Sequence, residues 1–154
     1  MPEHLRVVLD TNVILRGMIS RGAAAARLLQ AAEDRKIVLL LSRPVLQEYR
    51  VILNDPEIVQ RYPILNSRLV EVTLMRLRYV ADYIARPDAR FEYLRDPLDA
   101  PFIELAIAGQ ATHIVSFDKD LLSLPDGRGE ASKRFRQRLR GVNVVRPEQL
   151  LDLI

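Results

Sequence analysis

The sequence predicts an α/β fold in three layers, a central, mostly parallel sheet with helices on both sides. Three observations predict it. Short runs that are almost wholly aliphatic, RVVL, IVLLLS, HIVS and VNVV, recur along the chain. Strands buried on both faces have this composition, whereas strands with one wet face alternate. Helical segments separate these runs, and the alternation marks βαβ organisation. The chain has 154 residues, the length of one domain and enough to bury a core without staples. It shows no internal repeat, low-complexity linker or boundary, so residues 1–154 are expected to form a single domain.

The elements follow in order. Arg6 to Leu9 is the first strand, and Gly17 to Gly22 reads as a turn region. AAAARLLQAAEDRK is an alanine-rich helix over roughly 23–36. IVLLLS, 37–42, is a second buried strand. Ser42 caps the next helix, RPVLQEYRVILN, which is entered through Pro44 and ends near Asn54. DPEIVQRYP is a short helix. NSRLVEVTLMRLRYVADYIA is a longer one, with Leu69, Val72, Leu77 and Val80 on roughly one side, turning into a strand near Tyr83–Ala85. RPDARFEYLRDP is polar and bounded by prolines, hence a loop. LDAPFIELAIAGQAT is a helix stopped near Gly109. HIVS is a strand, FDKDLLSL a turn and short helix, and PDGRGEASKRF a loop with a helix beginning late. VNVV is the last strand and RPEQLLDLI a terminal helix.

Composition narrows the function classes. Hydrophobic residues make up 49% and charged residues 28%, which excludes a disordered chain. The absence of cysteine excludes disulfides, thiolate metal sites and cysteine nucleophiles, and fits a reducing compartment. MPEHLRVVLD is no secretory leader, and no apolar run reaches the about 20 residues a bilayer needs. A soluble, cytoplasmic protein with no membrane partner is the expectation. A net charge of +3 and a pI of about 9.5 permit nucleic-acid binding without demanding it.

The acids carry the chemistry. In open parallel sheets the ligand site lies outside the carboxyl ends of the strands. Asp10 sits at such an end, and Asp118 and Asp120 follow the end of HIVS on the same edge. Glu48 shares a helix side with Val45 and Ile52, and Asp99 opens a helix whose Phe102, Ile103, Ala106 and Ile107 read as buried. Asp99 would project from its helix start toward that edge. Taken singly, each has a plain reading: Asp10, Asp118 and Asp120 as turn formers, Glu48 as a solvated helix residue, Asp99 as an acid favouring a helix dipole. Together they would repel, since two unit charges about 4 Å apart cost roughly 4 kcal/mol even at an effective dielectric of about 20. Such a cluster persists if it is protonated or holds a cation, and oxygen ligands favour Mg2+ or Mn2+. Carboxylates holding such ions can drive phosphodiester hydrolysis. Competing chemistries lack their residues. The two histidines, His4 and His113, sit in no serine–histidine–acid spacing, and GRG at 127–129 lacks the context of a phosphate loop.

At this point the sequence resembles the PIN domain family, in pieces that run in order along nearly the whole chain. VVLDTNVIL looks like the family's opening strand and first acid. LSRPVLQEYRVIL looks like its second acid, on the helix after strand two. DPLDAPFIELAIAGQATHIVSFDKDLLSL looks like the stretch with the third acid, the serine or threonine and the last acids. The first and third pieces are quite specific together; the middle piece is weak alone. The branch it resembles contains toxins of bacterial toxin–antitoxin modules. The resemblance implies a PIN-like α/β/α fold and a Mg2+- or Mn2+-dependent endoribonuclease. It places Asp10, Glu48, Asp99 and Asp118 as catalytic metal-binding acids, with Asp96 and Asp120 as extra acids. Thr11, Asn12 and Ser116 match its small polar residues, which orient acids or water. Where relatives often carry another acid or a lysine after the third acid, this chain has Ala100-Pro101. Proline is tolerated in a first helical turn, so the helix survives, at lower acid density. Water, activated by the metal, is expected to attack phosphorus in line, leaving a 5′-phosphate and a 3′-hydroxyl.

The remaining features add partners. SKRFRQRLRG packs Lys133, Arg134, Arg136, Arg138 and Arg140 around Phe135, either a phosphate-contacting patch or a solvated surface or mobile loop. Arg86, Arg90 and Arg95 flank the loop near Asp96. Leu69, Val72, Leu77, Tyr79 and Tyr83 form either an exposed apolar stripe or ordinary core. An RNA substrate, an antitoxin protein and a homodimer are the partners the resemblance implies. Two rivals stand beside this reading. One is a non-catalytic RNA-binding or assembly module on the same scaffold, against which the retained acids argue. The other is a phosphoacceptor signalling domain, for which Lys119, between two acids in a turn, is a poor match.

Overall fold

In a computed structural model, which describes residues 4–93 and 95–154, the aliphatic runs form one five-stranded sheet. β1 (Arg6–Leu9), β2 (Val38–Ser42), β3 (Asp82–Ile84), β4 (His113–Val115) and β5 (Asn143–Val145) lie in the order β3-β2-β1-β4-β5. Every pairing in it is parallel. Val7, Val8 and Leu9 are consecutive, so they point to alternate faces, and all three are fully buried. Both faces of the sheet are therefore covered, which is the expected α/β/α layering. The covering helices are α1 (Thr11–Ile19), α2 (Ala24–Glu33), α3 (Arg43–Leu53), α4 (Pro56–Arg61), α5 (Ser67–Val80), α6 (Ala100–Ala108), α7 (Lys119–Ser123), α8 (Glu130–Arg138) and α9 (Pro147–Leu151). No helix among the described residues is long and apolar enough to cross a membrane.

The strand order places a switch point at the centre. From β1 the chain steps outward to β2 and β3, then returns across the sheet to β4 and β5. β1 and β4 are hydrogen-bonded neighbours, with Leu9 opposite Val115. Their following residues, Asp10 and Ser116, thus emerge side by side. The crevice at a switch point is where open parallel sheets bind ligands.

Three local expectations are corrected, and the stop at Gly109 is sharpened. Gly17 begins no turn; α1 runs through it to Ile19. A Cβ at Gly17 would lie 2.6 Å from Leu29 Cδ1, so the glycine serves the close crossing of α1 and α2. α6 does stop at Gly109, but the left-handed residue is Gln110, at φ 53. Close contact favours glycine at 109, since a Cβ there would lie 2.8 Å from Leu40 Cδ1 and 3.1 Å from the Leu105 carbonyl oxygen. On α5 the buried stripe is Val70, Leu74 and Leu77, spaced by four and three residues, while Val72 and Tyr79 are exposed. Finally, the basic segment after residue 130 is helical throughout α8, not a mobile loop, because Ser132, Phe135 and Leu139 are buried on one side.

Local chemistry explains the helix entries near the switch point. Ser42 ends β2 and caps α3 by accepting from Val45 N–H at 3.2 Å, with Pro44 in the first turn. α3 is then locked to the central strand. Tyr49, fully buried, donates its hydroxyl to the Leu9 carbonyl, and its ring packs against Phe102 of α6 with centroids 6.1 Å apart. Removing that hydroxyl by Tyr49→Phe is expected to lower stability by about 1–2 kcal/mol. Urea unfolding should show the change as a lower midpoint with an unaltered slope.

Candidate metal centre

The site is built outward from the β1–β4 switch point. Asp10 caps α1, and its Oδ1 accepts from the Thr11 N–H at 2.7 Å. Its Oδ2 accepts from Ser116 Oγ at 2.6 Å, and its own N–H extends the sheet ladder to the Val115 carbonyl at 2.9 Å. Ser116 is fully buried and works in two directions, since its Oγ also accepts from the Asp118 N–H at 2.9 Å. Asp118 caps α7 by accepting from the Asp120 N–H at 3.0 Å. Asn12 Oδ1 accepts from the Phe117 N–H at 3.4 Å, a weaker tie between the same two loops.

A third element closes on this pair. Asp96 to Asp99 forms a single tight turn, in which Asp96 accepts from the Leu98 N–H at 3.1 Å. The turn delivers Asp99 to the start of α6 with only 8% of its surface exposed. One carboxylate oxygen each from Asp96, Asp99 and Asp118 lies within 4.8 Å of the other two.

Electrostatics shows what this gathering costs. Burial pushes the Asp99 carboxyl up to about 7, and repulsion from Asp10, Asp96 and Asp118 adds to it, as does a hydrogen bond with Asp96. Asp10 is raised as well, first by burial, with the Ser116 and Thr11 hydrogen bonds pulling the other way. Among the described residues, the buried Asp99 Oδ2 and Thr11 Oγ1 have no hydrogen-bond partner. A buried, unpartnered carboxylate oxygen among three further acids lacks a positive charge or a proton. The donors are all oxygen, so a hard divalent cation fits them.

The other expected residues take varied positions. Glu48 is half-buried on α3 and stands outside the three-acid group. Asp120 is exposed and pairs with Arg95 at 3.2 Å, on the rim rather than inside. The basic stretch largely spends its charge on backbone carbonyls. Arg134 donates to Glu92 O at 3.0 Å, Arg138 to Arg90 O at 3.2 Å, and Arg136 to Pro125 O and Gly127 O at 3.0 and 2.6 Å. Lys133 is exposed, with no ion pair among the described residues. His113 is buried, with Nδ1 against Thr112 Oγ1 at 2.9 Å, a structural role.

Two tyrosines belong to the site and escape a reading of the sequence. Tyr49 fixes the carbonyl just before Asp10. Tyr93, in the loop read only as polar, is 4% exposed, and its hydroxyl has no partner among the described residues. Burial raises its pKa, followed by the charges of Asp120 and Asp99. The only signal was an aromatic residue, flanked by Phe91, within an otherwise polar loop.

The chain is similar to known proteins over the segment that holds these residues. Residues 6–120 match the family described as PIN domain, a span holding all six acids considered above. An uncharacterized protein of Methanocaldococcus jannaschii is 30% identical over 122 residues, covering 79% of this chain and 76% of that protein.

The raised Asp99 makes a pH prediction. Its folded pKa of about 7 exceeds the ordinary 3.8, so the folded chain binds more protons than the unfolded one between those values. The stability this contributes is complete below the ordinary value and is lost as pH rises through about 7. In chelator, melting curves of Asp99→Asn should therefore fall less than wild type between about pH 5 and about pH 8. Added Mg2+ or Mn2+ should raise the wild-type midpoint at the higher pH and move the variant little.

Proposed function

This chain belongs to the PIN domain family, and from that membership we propose that it is an endoribonuclease dependent on Mg2+ or Mn2+. PIN domains are generally metal-dependent nucleases. The observation that carries the proposal is Asp99 Oδ2, buried and unpartnered, on a carboxylate that has an Asp96 and an Asp118 oxygen within 4.8 Å. Asp10, Asp99 and Asp118 are its principal ligands, Asp96 shares the three-acid group with the last two, and Glu48 on α3 is the fourth catalytic acid. Asp120 and the basic residues of α8 belong to the approach to the site.

A divalent cation bound there supplies a water of lowered pKa and neutralises charge on the phosphate. The chain's own residues provide the rigidity. Ser116 holds Asp10 by its hydroxyl and holds Asp118 by accepting from its backbone, so one side chain sets the separation of two ligands. Thr11 fixes the second Asp10 oxygen. Asp99, whose carboxyl burial and acidic neighbours push up to about 7, would hold the cation in its deprotonated form. Attack by water rather than by a ribose 2′-hydroxyl gives 5′-phosphate and 3′-hydroxyl ends. The mild basic excess suits a polyanionic substrate. The resemblance to toxins of toxin–antitoxin modules supports a toxin role in the cytoplasm, with an antitoxin protein and a homodimer as partners.

Labelled single-stranded RNA with Mg2+ or Mn2+ tests this directly. Wild type should cut, chelator should stop it, and Asp10→Asn should lose at least about 100-fold, while Ser116→Ala should lose roughly 10–100-fold. Cutting that survives Asp10→Asn or chelator, or products with 2′,3′-cyclic ends, would overturn the proposal.

A further inference from the structure

The carboxyl edge of the sheet carries more than acids. Parallel register sets the residues that follow the strands in a row. Arg6 pairs with Val38 and Val7 with Leu39, and the same offset puts Ser42 level with Asp10. Ser42 in turn pairs with Ile84 of β3. From there the chain continues to Arg43 after β2 and, through Ala85, to Arg86 after β3. The Arg43 N–H donates to the Ala85 carbonyl at 3.2 Å, which joins the two strand ends. Neighbouring strands lie about 4.8 Å apart, so Arg43 starts about one strand spacing from the Asp10 strand and Arg86 about two.

Both arginines are exposed, and among the described residues neither forms an ion pair. Arg50, on the same helix as Arg43, is held by Glu71 at 2.9 Å. α3 begins at Arg43, so the positive end of an 11-residue helix adds to the same place. Against these charges stand Asp88, exposed two residues after Arg86, and Glu48 on α3, itself a candidate metal ligand.

The other side of the switch point differs. After β4, Lys119 stands between Asp118 and Asp120 in the chain. Beside them lies a cavity of about 710 Å³, lined by four carboxylates and three guanidiniums. Two of those guanidiniums are engaged, Arg95 with Asp120 and Arg134 with the Glu92 carbonyl. That side has no positive excess to hold a phosphate. A polyanion crossing the acidic centre therefore meets unengaged cations on the β2–β3 side.

We propose that Arg43 and Arg86 form a phosphate-binding track, which holds the backbone of single-stranded RNA on one side of the scissile phosphate as the strand crosses the ends of β2 and β3. It rests on the ribonuclease reading and adds to it the path of the substrate. Each guanidinium takes a backbone phosphate through paired N–H donors. Such contacts position a strand without reading its bases.

Fluorescence anisotropy of a labelled single-stranded RNA octanucleotide, in chelator so that nothing is cut, measures binding across a salt series. Each phosphate contact to a single strand contributes about 0.7 to the slope of log affinity against log salt. Arg43→Gln combined with Arg86→Gln should weaken binding at low salt at least about tenfold and flatten that slope by about 1.4. Arg27 and Lys36 line a separate cleft, and Lys36 precedes β2, at the opposite sheet edge. Arg27→Gln combined with Lys36→Gln removes the same two charges and should change little. A methylphosphonate, which neutralises one phosphate, should weaken wild-type binding only at the positions on the track, and the Arg43/Arg86 variant should not sense it there. Equal losses from the two variant pairs, an unchanged slope, equal methylphosphonate losses at every position, or no binding by wild type would overturn the track. Cutting by wild type with equal losses removes the track and leaves the nuclease; selective loss without any cutting does the reverse.

Discussion

The hydrogen bond from Ser116 to Asp10 is the contact on which the site depends. It joins residues 106 positions apart at 2.6 Å and does so without solvent, since both are buried. It exists because β1 and β4 are parallel neighbours in register, with Leu9 opposite Val115. A slip of one residue would send Asp10 to the other face and leave Ser116 buried without its acceptor. The same hydroxyl accepts from Asp118, so the position of a second acid is inherited from the first. Tyr49 secures the strand end from the other side by holding the Leu9 carbonyl.

That rigidity has an electrostatic consequence. A flexible loop would let four acids relax away from each other, but here Asp10, Asp96 and Asp118 are tied to backbone or hydroxyl donors, and Asp99 is held by its buried place at the start of α6. Asp10 is held at both oxygens, Asp118 caps α7, and Asp96 caps the turn that carries Asp99. The strain collects at Asp99, the acid with a buried oxygen that nothing satisfies, and its carboxyl rises to about 7. A centre poised in this way is least stable in the state that binds a cation best. The fully buried Val7, Val8, Leu9, Leu40 and Leu41 at the sheet centre offset that cost. Such exchange of stability for function is common at active sites.

The arginines show the same principle at the rim. A cluster of cations in sequence suggests a surface for phosphate, yet Arg134, Arg136 and Arg138 reach past the solvent to carbonyls of the loops at 90–92 and 125–127. Guanidinium donors satisfy carbonyl groups that irregular loops leave without ladder partners. The outcome is that α8 clamps both loops and shapes the cavity beside the acids. Charge here acts first as a fastener.

The sequence by itself determined the layers of this protein and the edge on which its chemistry sits. Runs such as RVVL and HIVS are too short and too apolar to be anything but buried parallel strands, and an acid following such a run must lie at the strand's carboxyl end. Helix starts at Ser42 and Pro44 were legible for the same local reason, as was the stop at Gly109. What Gly17 does, which stripe of α5 is buried, and how early α8 begins were not, because each depends on what another element presses against it. At the site, the tertiary structure alone decided that Asp96 joins Asp99 and Asp118 within 4.8 Å while Glu48 stands apart. It alone brought in Tyr49 and Tyr93. Strand ends are local and can be read from composition; the separation of side chains from different loops is set by register and packing, which no single stretch of sequence contains.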